Sequence, residues 1–300
     1  MFIVRALGMS LFLLLVGPAL RVAAQMPNGM PAELPPIAVH KLKPHLYLVT
    51  GAHANTVLFV RSKDVVMIDT KGPRPGWGRA MADEVKKLTS RPITTIINTS
   101  ASGDHVAGNL DFAESKVDII AHEYAPADMR KMTLMFTKPT GGGLPTRTFK
   151  DRLTVGSGPD RLELHYFGPS TNRSGIFIVI PALRVLLTGD AFGGKFLPAL
   201  TRPNGGDGVE FPNTLTKALP LTRDVDMIVT GHRGVAKPTD LEVHRDFMRD
   251  FLEATRRAKK AGQTAQAAAR AWRMPPRYVG YEAEPARILG AMEWIYRQLP

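Results

Sequence analysis

The chain has 300 residues, of which 44% are hydrophobic and 22% charged, and its formal charge is +12. This composition is ordinary for a globular protein and excludes disorder over most of the chain, while the length allows one large domain or two small ones. No cysteine is present, so the fold cannot depend on disulfide bonds. The positive charge favours anionic partners, but the basic residues are spread along the chain and form no nucleic-acid-binding motif, so nucleic acid is not an expected partner.

Residues 1–24 are predicted to be a signal peptide. A basic start precedes an apolar segment, and small residues at 22–24 allow cleavage after Ala24. A membrane anchor is the alternative reading. Because a span needs about 20 apolar residues, and Gly17 and Pro18 interrupt this segment, we expect no transmembrane segment after cleavage. The mature protein is therefore expected in the periplasm or outside the cell, beginning with a Pro-rich linker over residues 25–38.

Residues 39–238 predict an α/β domain. HLYLVTG, NTVLFVR and DVVMIDT read as antiparallel strands, and Met81, Val85 and Leu88 have helical spacing. The strands ITTIINT and VDIIAH follow, and a second β-rich half comes after a Gly-rich loop: RTFKDRLTVG, DRLELHYFG, GIFIVIPALRVLLTGD and VDMIVTGH. Two β-rich halves with interleaved helices predict two sheets packed face to face with helices outside, a four-layer α/β/β/α sandwich.

Residues 239–300 predict a C-terminal helical extension. TDLEVHRDFMRDFLEATRRAKK reads as a long helix with Thr239 as its N-cap and basic residues at its end, which suit the helix dipole. Its predicted apolar face consists of Leu241, Phe247, Phe251 and Leu252. His244 on the same helix is expected at the surface, and TAQAAARAW and EPARILGAMEWIYRQL predict two further helices.

A polar loop, NTSASGDHVAGN, follows the strand ITTIINT and resembles a metal-binding loop. It places Asp104 beside His105, and two later strands are followed by Asp190 and His232. Taken singly, each residue also has a structural reading, as a helix cap, a buried histidine or a turn former. All four residues lie at predicted strand ends, and carboxylate and imidazole are the side-chain groups that bind metals.

The order of MIDT, the INTSASGDH loop, LLTGD and VTGH resembles the metallo-β-lactamase-fold hydrolases over residues 45–237. The segments GWGRAMADEVKKLTSRPITTIINT, RTFKDRL, PALRVLLTGDAF and GVEFP look like an exported bacterial group of that superfamily. In such hydrolases a His-x-His-x-Asp-His loop, a further His, an Asp and a final His hold two metals. The resemblance implies a complete second metal site, formed by Asp104, His105, Asp190 and His232.

The resemblance also implies that the first metal site is degenerate. Its two leading histidines correspond to Ser100 and Ser102, and its third corresponds to Thr171, or to Ser170 after a one-residue shift. Hydroxyls are poor neutral ligands, so we expect one divalent metal. Zn²⁺ is the first expectation, with Mn²⁺ or Fe²⁺ tolerated, because imidazole and carboxylate do not discriminate sharply between these ions.

The implied activity is hydrolysis of an ester, amide, thioester or lactone bond in a small molecule, with Asp104 orienting or deprotonating water. One alternative is an inactive family member, a pseudoenzyme whose relict cluster holds no metal and which binds a small molecule or a protein partner. Another is a structural protein that uses its basic C-terminal helices for contact. The fold cannot decide among these, since one fold supports many functions.

Two basic residues near the site are candidate contacts for an anionic substrate group. Lys195 follows Asp190 closely, and Arg173 lies in the loop that lost its histidine. The alternative is that both are solvated surface charges.

Overall fold

The computed structural model describes residues 34–72, 76–131, 142–200 and 204–300. The predicted signal peptide and most of the predicted linker, residues 25–33, lie outside the described residues, so both stay predictions. Residues 35–300 belong to one compact unit. The boundary that we predict between residues 238 and 239 also stays a prediction.

The first sheet is built from the β-rich runs of the first half. In the described part of the chain it has seven strands in the spatial order β1 to β7. Neighbours from β1 to β4 pair antiparallel, and neighbours from β4 to β7 pair parallel. The strands are β1 (Ala38–Lys43), β2 (Leu46–Thr50), β3 (Thr56–Val60), β4 (Val65–Ile68), β5 (Ile93–Ile97), β6 (Asp118–His122) and β7 (Arg147–Phe149).

The second sheet has the spatial order β13-β12-β11-β10-β9-β8 within the described residues. Its neighbours pair antiparallel except β11 and β12, which are parallel. The strands are β8 (Arg152–Val155), β9 (Leu162–His165), β10 (Phe177–Ile180), β11 (Val185–Leu187), β12 (Met227–Val229) and β13 (Val235–Ala236). The run RTFKDRLTVG, predicted as one β segment, therefore divides between the two sheets, β7 in the first and β8 in the second.

The two sheets pack face to face through a shared apolar core. The first sheet contributes residues such as Phe59 and Ile97 to this core, and the second contributes Ile178 and its neighbours at alternate positions. The intervening residues of β10, Phe177 and Val179, instead face a second core formed with the C-terminal helices. This division follows from the two-residue period of a strand, which sends successive side chains to opposite faces.

Helices cover the outer faces and complete the predicted four-layer α/β/β/α sandwich. They are α1 (Trp77–Leu88), α2 (Gly103–Val106), α3 (Ala125–Lys131), α4 (Phe211–Ala218), α5 (Pro238–Lys260), α6 (Ala265–Ala271) and α7 (Pro285–Gln298). The predicted apolar face of α5 is buried against the second sheet. None of the described helices has the length and apolar character needed to span a membrane.

Two details of α5 differ from the sequence prediction. The N-cap is Lys237, and Pro238 occupies the first helical position, so Thr239 lies inside the helix and does not cap it. His244 is buried, not exposed, and its ring lies among Phe192, Phe247 and Tyr281. Its i+3 spacing from Leu241 places it on the apolar face, where its aromatic neighbours accept a neutral imidazole.

Candidate functional site

The four predicted metal ligands meet at one edge of the sandwich. Asp104 and His105 lie on α2, which follows β5, whereas Asp190 lies in a 3-10 turn after β11. His232 follows the parallel neighbour of β11, strand β12. Because parallel strands end at the same edge of a sheet, the residues after β11 and β12 are brought together. The face-to-face packing of the sheets then places α2 opposite them.

The side chains converge on one oxygen of Asp190. Its Oδ1 lies 3.0 Å from His105 Nε2 and 2.9 Å from His232 Nε2. Oδ2 of Asp104 lies 3.8 Å from His232 Nε2. One ligand atom from each of Asp104, His105 and His232 lies within 4.8 Å of the others. The structure therefore brings these four side chains together, and their role as metal ligands stays a prediction.

A third carboxylate, that of Asp69, fixes the orientation of the His105 ring. Asp69 Oδ2 lies 2.7 Å from His105 Nδ1, and both side chains are buried. Thr99 donates to both oxygens of Asp69, through its backbone N–H at 2.7 Å and its hydroxyl at 2.6 Å. The pairing at Nδ1 aims Nε2 at the cluster, as carboxylates do for metal-binding histidines.

Asp69 was not among the site residues predicted from the sequence, although a signal was present. MIDT ends a buried strand, β4, whose parallel neighbour β5 leads into the polar loop. A carboxylate at the end of β4 is therefore expected to lie near His105.

Charge interactions among these groups are strong. Burial alone would lower the pKa of His105, but the carboxylates of Asp190, Asp69 and Asp104 outweigh burial and hold this pKa well above its ordinary value. Burial would raise the pKa of Asp190, yet His105 and His232 keep it well below its ordinary value. Without a cation, the buried cluster is stabilised as an imidazolium beside carboxylates.

Close backbone contacts set the positions of the candidate ligand residues. A Cβ on Gly231 would meet the carbonyl oxygen of Gly189 at 2.6 Å, so the turns that carry His232 and Asp190 touch each other. A Cβ on Gly72 would meet the carbonyl oxygen of Gly103 at 2.0 Å, beside Asp104. Glycine is needed at both contacts because any other side chain would force the backbones apart.

The three positions that lack histidine carry hydroxyls in a hydrogen-bonded arrangement. Ser100 Oγ donates to Asp190 Oδ2 at 3.3 Å and accepts from the backbone N–H of Ser102 at 3.1 Å. Thr171 Oγ1 accepts from the side-chain amide of Asn172 at 3.2 Å, and the neighbouring Ser170 is also buried. These oxygens suit hydrogen bonding with water or a substrate, because neutral hydroxyls are weak metal ligands.

An open cleft of about 670 Å³ leads to the cluster. Its lining includes Asp104, Asp190 and His232 from the cluster, and Ser102 and Thr171 from the substituted positions. One wall comes from the C-terminal extension. The residues that this wall contributes are Glu282, Glu284 and Arg287.

Arg173 and Lys195 lie outside the lining of this cleft. Arg173 forms a two-pronged ion pair with buried Asp128, at 2.7 and 2.9 Å, and so joins the loop to α3. Lys195 pairs with Asp240 at 3.0 Å. Their predicted contact with an anionic substrate stays a prediction, and it is not favoured by these positions.

The donor set of the cluster fits one divalent cation. Two carboxylates and two neutral imidazoles would balance a charge of +2, and such mixed N/O sets are those that Zn²⁺ accepts. His105 and His232 already direct one ring nitrogen each to a shared point at Asp190. The hydroxyls of Ser100, Ser102 and Thr171 are weak ligands for a second ion, so the prediction of a single ion stays a prediction.

The family model of the metallo-beta-lactamase superfamily matches residues 49–232, more than half of the chain. The chain belongs to the metallo-beta-lactamase superfamily, whose members typically bind metal ions. No curated protein matches the chain in sequence.

Solved structures of hydrolases share the fold. A double mutant of the sec-alkyl sulfatase PisA1 matches with a TM-score of 0.72 and 17% identity, over 87% of this chain and 50% of that chain. The metallo-beta-lactamase from Pontibacter korlensis matches with a TM-score of 0.61 and 15% identity, over 71% of this chain and 99% of that chain. This chain thus spans half the length of the sulfatase chain, and at these identities the likeness shows the fold alone.

Proposed function

We propose that the chain is an exported hydrolase that uses one divalent metal ion to cleave an ester, amide, thioester or lactone bond in a small molecule. The observation that carries the proposal is the convergence of Asp104, His105 and His232, whose ligand atoms lie within 4.8 Å of one another around Asp190. Export is supported by the N-terminal sequence, in which a basic residue, an apolar segment and small residues follow in order.

Asp104, His105, Asp190 and His232 would hold the ion. Zn²⁺, or Mn²⁺ or Fe²⁺ in its place, would supply Lewis acidity and make water a stronger acid. Asp69 keeps His105 Nε2 directed at the cluster. Ser100 anchors the other oxygen of Asp190.

Asp104 is the proposed general base. Its carboxylate is half-buried and lines the cleft, so it can accept a proton from a water that enters there. Ser102 and Thr171 line the same cleft, and their hydroxyls are suited to hydrogen-bond that water or the substrate. These roles require only side chains that already face the cleft.

The second candidate is an inactive family member that binds a small molecule through the same cleft. It is favoured by the hydroxyl arrangement of Ser100, Ser102 and Thr171, which leaves half of the usual two-metal site without imidazoles. A binding protein would not need Asp104 as a base. The two candidates therefore differ in whether the loaded protein turns over any substrate.

The test is hydrolysis by purified, zinc-loaded residues 25–300 across a panel of p-nitrophenyl esters, lactones, thioesters, amides and, because of the sulfatase neighbour, sulfate esters. We expect turnover that falls at least 100-fold in Asp104→Asn and is retained in His40→Ala, a surface control outside the cleft. Absence of turnover on every substrate, in protein that holds the metal, would favour the binding protein.

A further inference from the structure

Two guanidinium groups face the cleft beside the metal-ligand cluster. Arg233 directly follows the ligand His232, and Arg287 lies in the first turn of α7. Among the described residues that line the cleft, these two arginines carry the permanent positive charges. The C-terminal extension thus brings Arg287 to the cleft, together with the carboxylates of Glu282 and Glu284.

The two arginines share one aromatic platform. Cζ of Arg233 lies 5.7 Å from the centroid of the Phe196 ring, and Cζ of Arg287 lies 5.2 Å from it. The same ring lies edge-to-face with His232, with centroids 6.3 Å apart. Contacts at this range between guanidinium and an aromatic face are attractive. Phe196 therefore contacts both guanidinium groups and the imidazole of His232.

The extension is fixed to this platform through its backbone. Leu197 N–H donates to the carbonyl of Glu282 at 2.8 Å, and Glu282 N–H donates to the carbonyl of Lys195 at 3.0 Å. These two hydrogen bonds form a short parallel bridge between Phe196 and Glu282. The bridge fixes the position of the segment that leads into α7. The position of Arg287 is thus tied to the position of Phe196.

The guanidinium groups keep donors available for a ligand. Arg233 pairs with Glu282 at 2.8 Å, but their side chains are 61% and 60% exposed, so the pair is weak and exchangeable. Arg287 donates to the Leu197 carbonyl at 3.4 Å, and within the described residues it pairs with no carboxylate. Each guanidinium has five N–H donors in a planar fork, which matches the oxygens of an oxyanion.

We propose that Arg233, Arg287 and Phe196 form a subsite for the anionic end of an amphiphilic substrate, a carboxylate or sulfate joined to an apolar group. The apolar group lies along Phe196, Pro198 and Ala199 on the cleft wall, and the scissile bond reaches the cluster at Asp190 and His232. This subsite rests on the proposed function for its role in turnover, but its affinity for an anion can be measured separately.

The test is isothermal titration calorimetry on metal-free protein, so that no metal can hold the anion. The probes are 4-phenylbutyrate, its neutral isostere 4-phenylbutyramide, and hexyl sulfate. We expect the carboxylate or the sulfate to bind about tenfold more tightly than the amide, because one charge-assisted contact has that order of magnitude.

Matched variants locate the contact. The double variant Arg233→Gln/Arg287→Gln should bind the anions no more tightly than the amide, whereas Arg249→Gln should bind as the wild type does. Arg249 is an exposed arginine that pairs with Asp246 on α5, outside the cleft. Equal affinity of the wild type for anions and amide, or anion preference retained in the double variant, would overturn the subsite. Neither result depends on whether the loaded protein is a hydrolase.

Discussion

At the scale of single residues, the site depends on groups other than its four candidate ligands. Asp69 is held by two donors from Thr99 and directs His105. Asp69→Asn keeps the size of the side chain but removes the charge opposite Nδ1. We expect a 10–100-fold loss of zinc affinity, the range measured for such supporting partners, in a competition titration with a chromophoric chelator.

The control for this prediction is Asp83→Asn, which removes an exposed carboxylate on α1 that pairs with Lys86. Zinc affinity should be unchanged there. If Asp69→Asn bound zinc as tightly as the wild type, the orientation of His105 would have to come from another source.

Gly231 provides a second residue-scale prediction. Because its Cβ would lie 2.6 Å from the Gly189 carbonyl oxygen, Gly231→Ala must separate the turns that carry His232 and Asp190. We expect a loss of about 1–3 kcal/mol in unfolding free energy, as for other overpacked sites, and weaker zinc binding. Urea unfolding measures the first effect.

A glycine-to-alanine change of opposite sign serves as the comparison. Gly290 lies within α7, and a Cβ there would meet nothing within 4 Å. Gly290→Ala should stabilise the protein by up to about 1 kcal/mol, because glycine is a poor helix former. If Gly231→Ala and Gly290→Ala both destabilised the protein, the close approach at Gly231 would not explain the loss of stability.

At the scale of elements, the buried Lys71 joins the end of β4 to the loop between β2 and β3. Its Nζ donates to the carbonyls of Val49, Gly51 and Ala54 at 3.0, 2.9 and 2.8 Å, and burial lowers its pKa to about 8. The loop has positive φ at three consecutive residues, 51–53. His53, the last of these three residues, lines the cleft.

Lys71→Met should release this loop. The three carbonyls would lose a charged donor, and leaving buried acceptors unsatisfied costs about 1–3 kcal/mol each. We expect lower stability to urea and faster amide hydrogen exchange over residues 49–55. Exchange unchanged in that loop, with stability lost elsewhere, would contradict the assignment of Lys71 as its clamp.

The elements themselves were largely predictable, since the alternation in β2–β4 and the spacing in α1 and α5 repeat over many residues. The proximity of Asp104, His105, Asp190 and His232 could also be predicted, because they follow strands in the motif order that resembles the superfamily. The break between β7 and β8 was not predictable, because periodicity does not show which sheet a strand joins. The contribution of Glu282, Glu284 and Arg287 to the cleft was missed for a related reason: local patterns do not determine where an extension docks.

At the scale of the whole molecule, a buried histidine links stability to pH. His244 was expected at the surface, yet burial lowers its pKa to about 3. Between pH 6.5 and 3 the unfolded chain therefore binds a proton that the folded chain does not. The stability contributed by neutral His244 is complete above pH 6.5 and falls as the pH drops, by about 1.4 kcal/mol for each unit at most.

His244→Phe should remove this acid dependence, because phenylalanine suits the surrounding aromatic rings and carries no proton. Urea unfolding at pH 7 and pH 5 measures it, with His40→Phe at the exposed β1 position as the control. We expect the stability difference between the two pH values to shrink in His244→Phe alone. An unchanged difference would show that other groups govern acid unfolding.

The central claim is that the chain holds one metal ion through Asp104, His105, Asp190 and His232. The measurement that tests it most directly is metal content by elemental mass spectrometry, on purified residues 25–300 after incubation with zinc and removal of unbound ion. We predict about one zinc per chain, lost in Asp104→Ala/His232→Ala and retained in Ser100→Ala/Ser102→Ala. No zinc in the wild type, or zinc retained after the ligand pair is removed, would contradict the account.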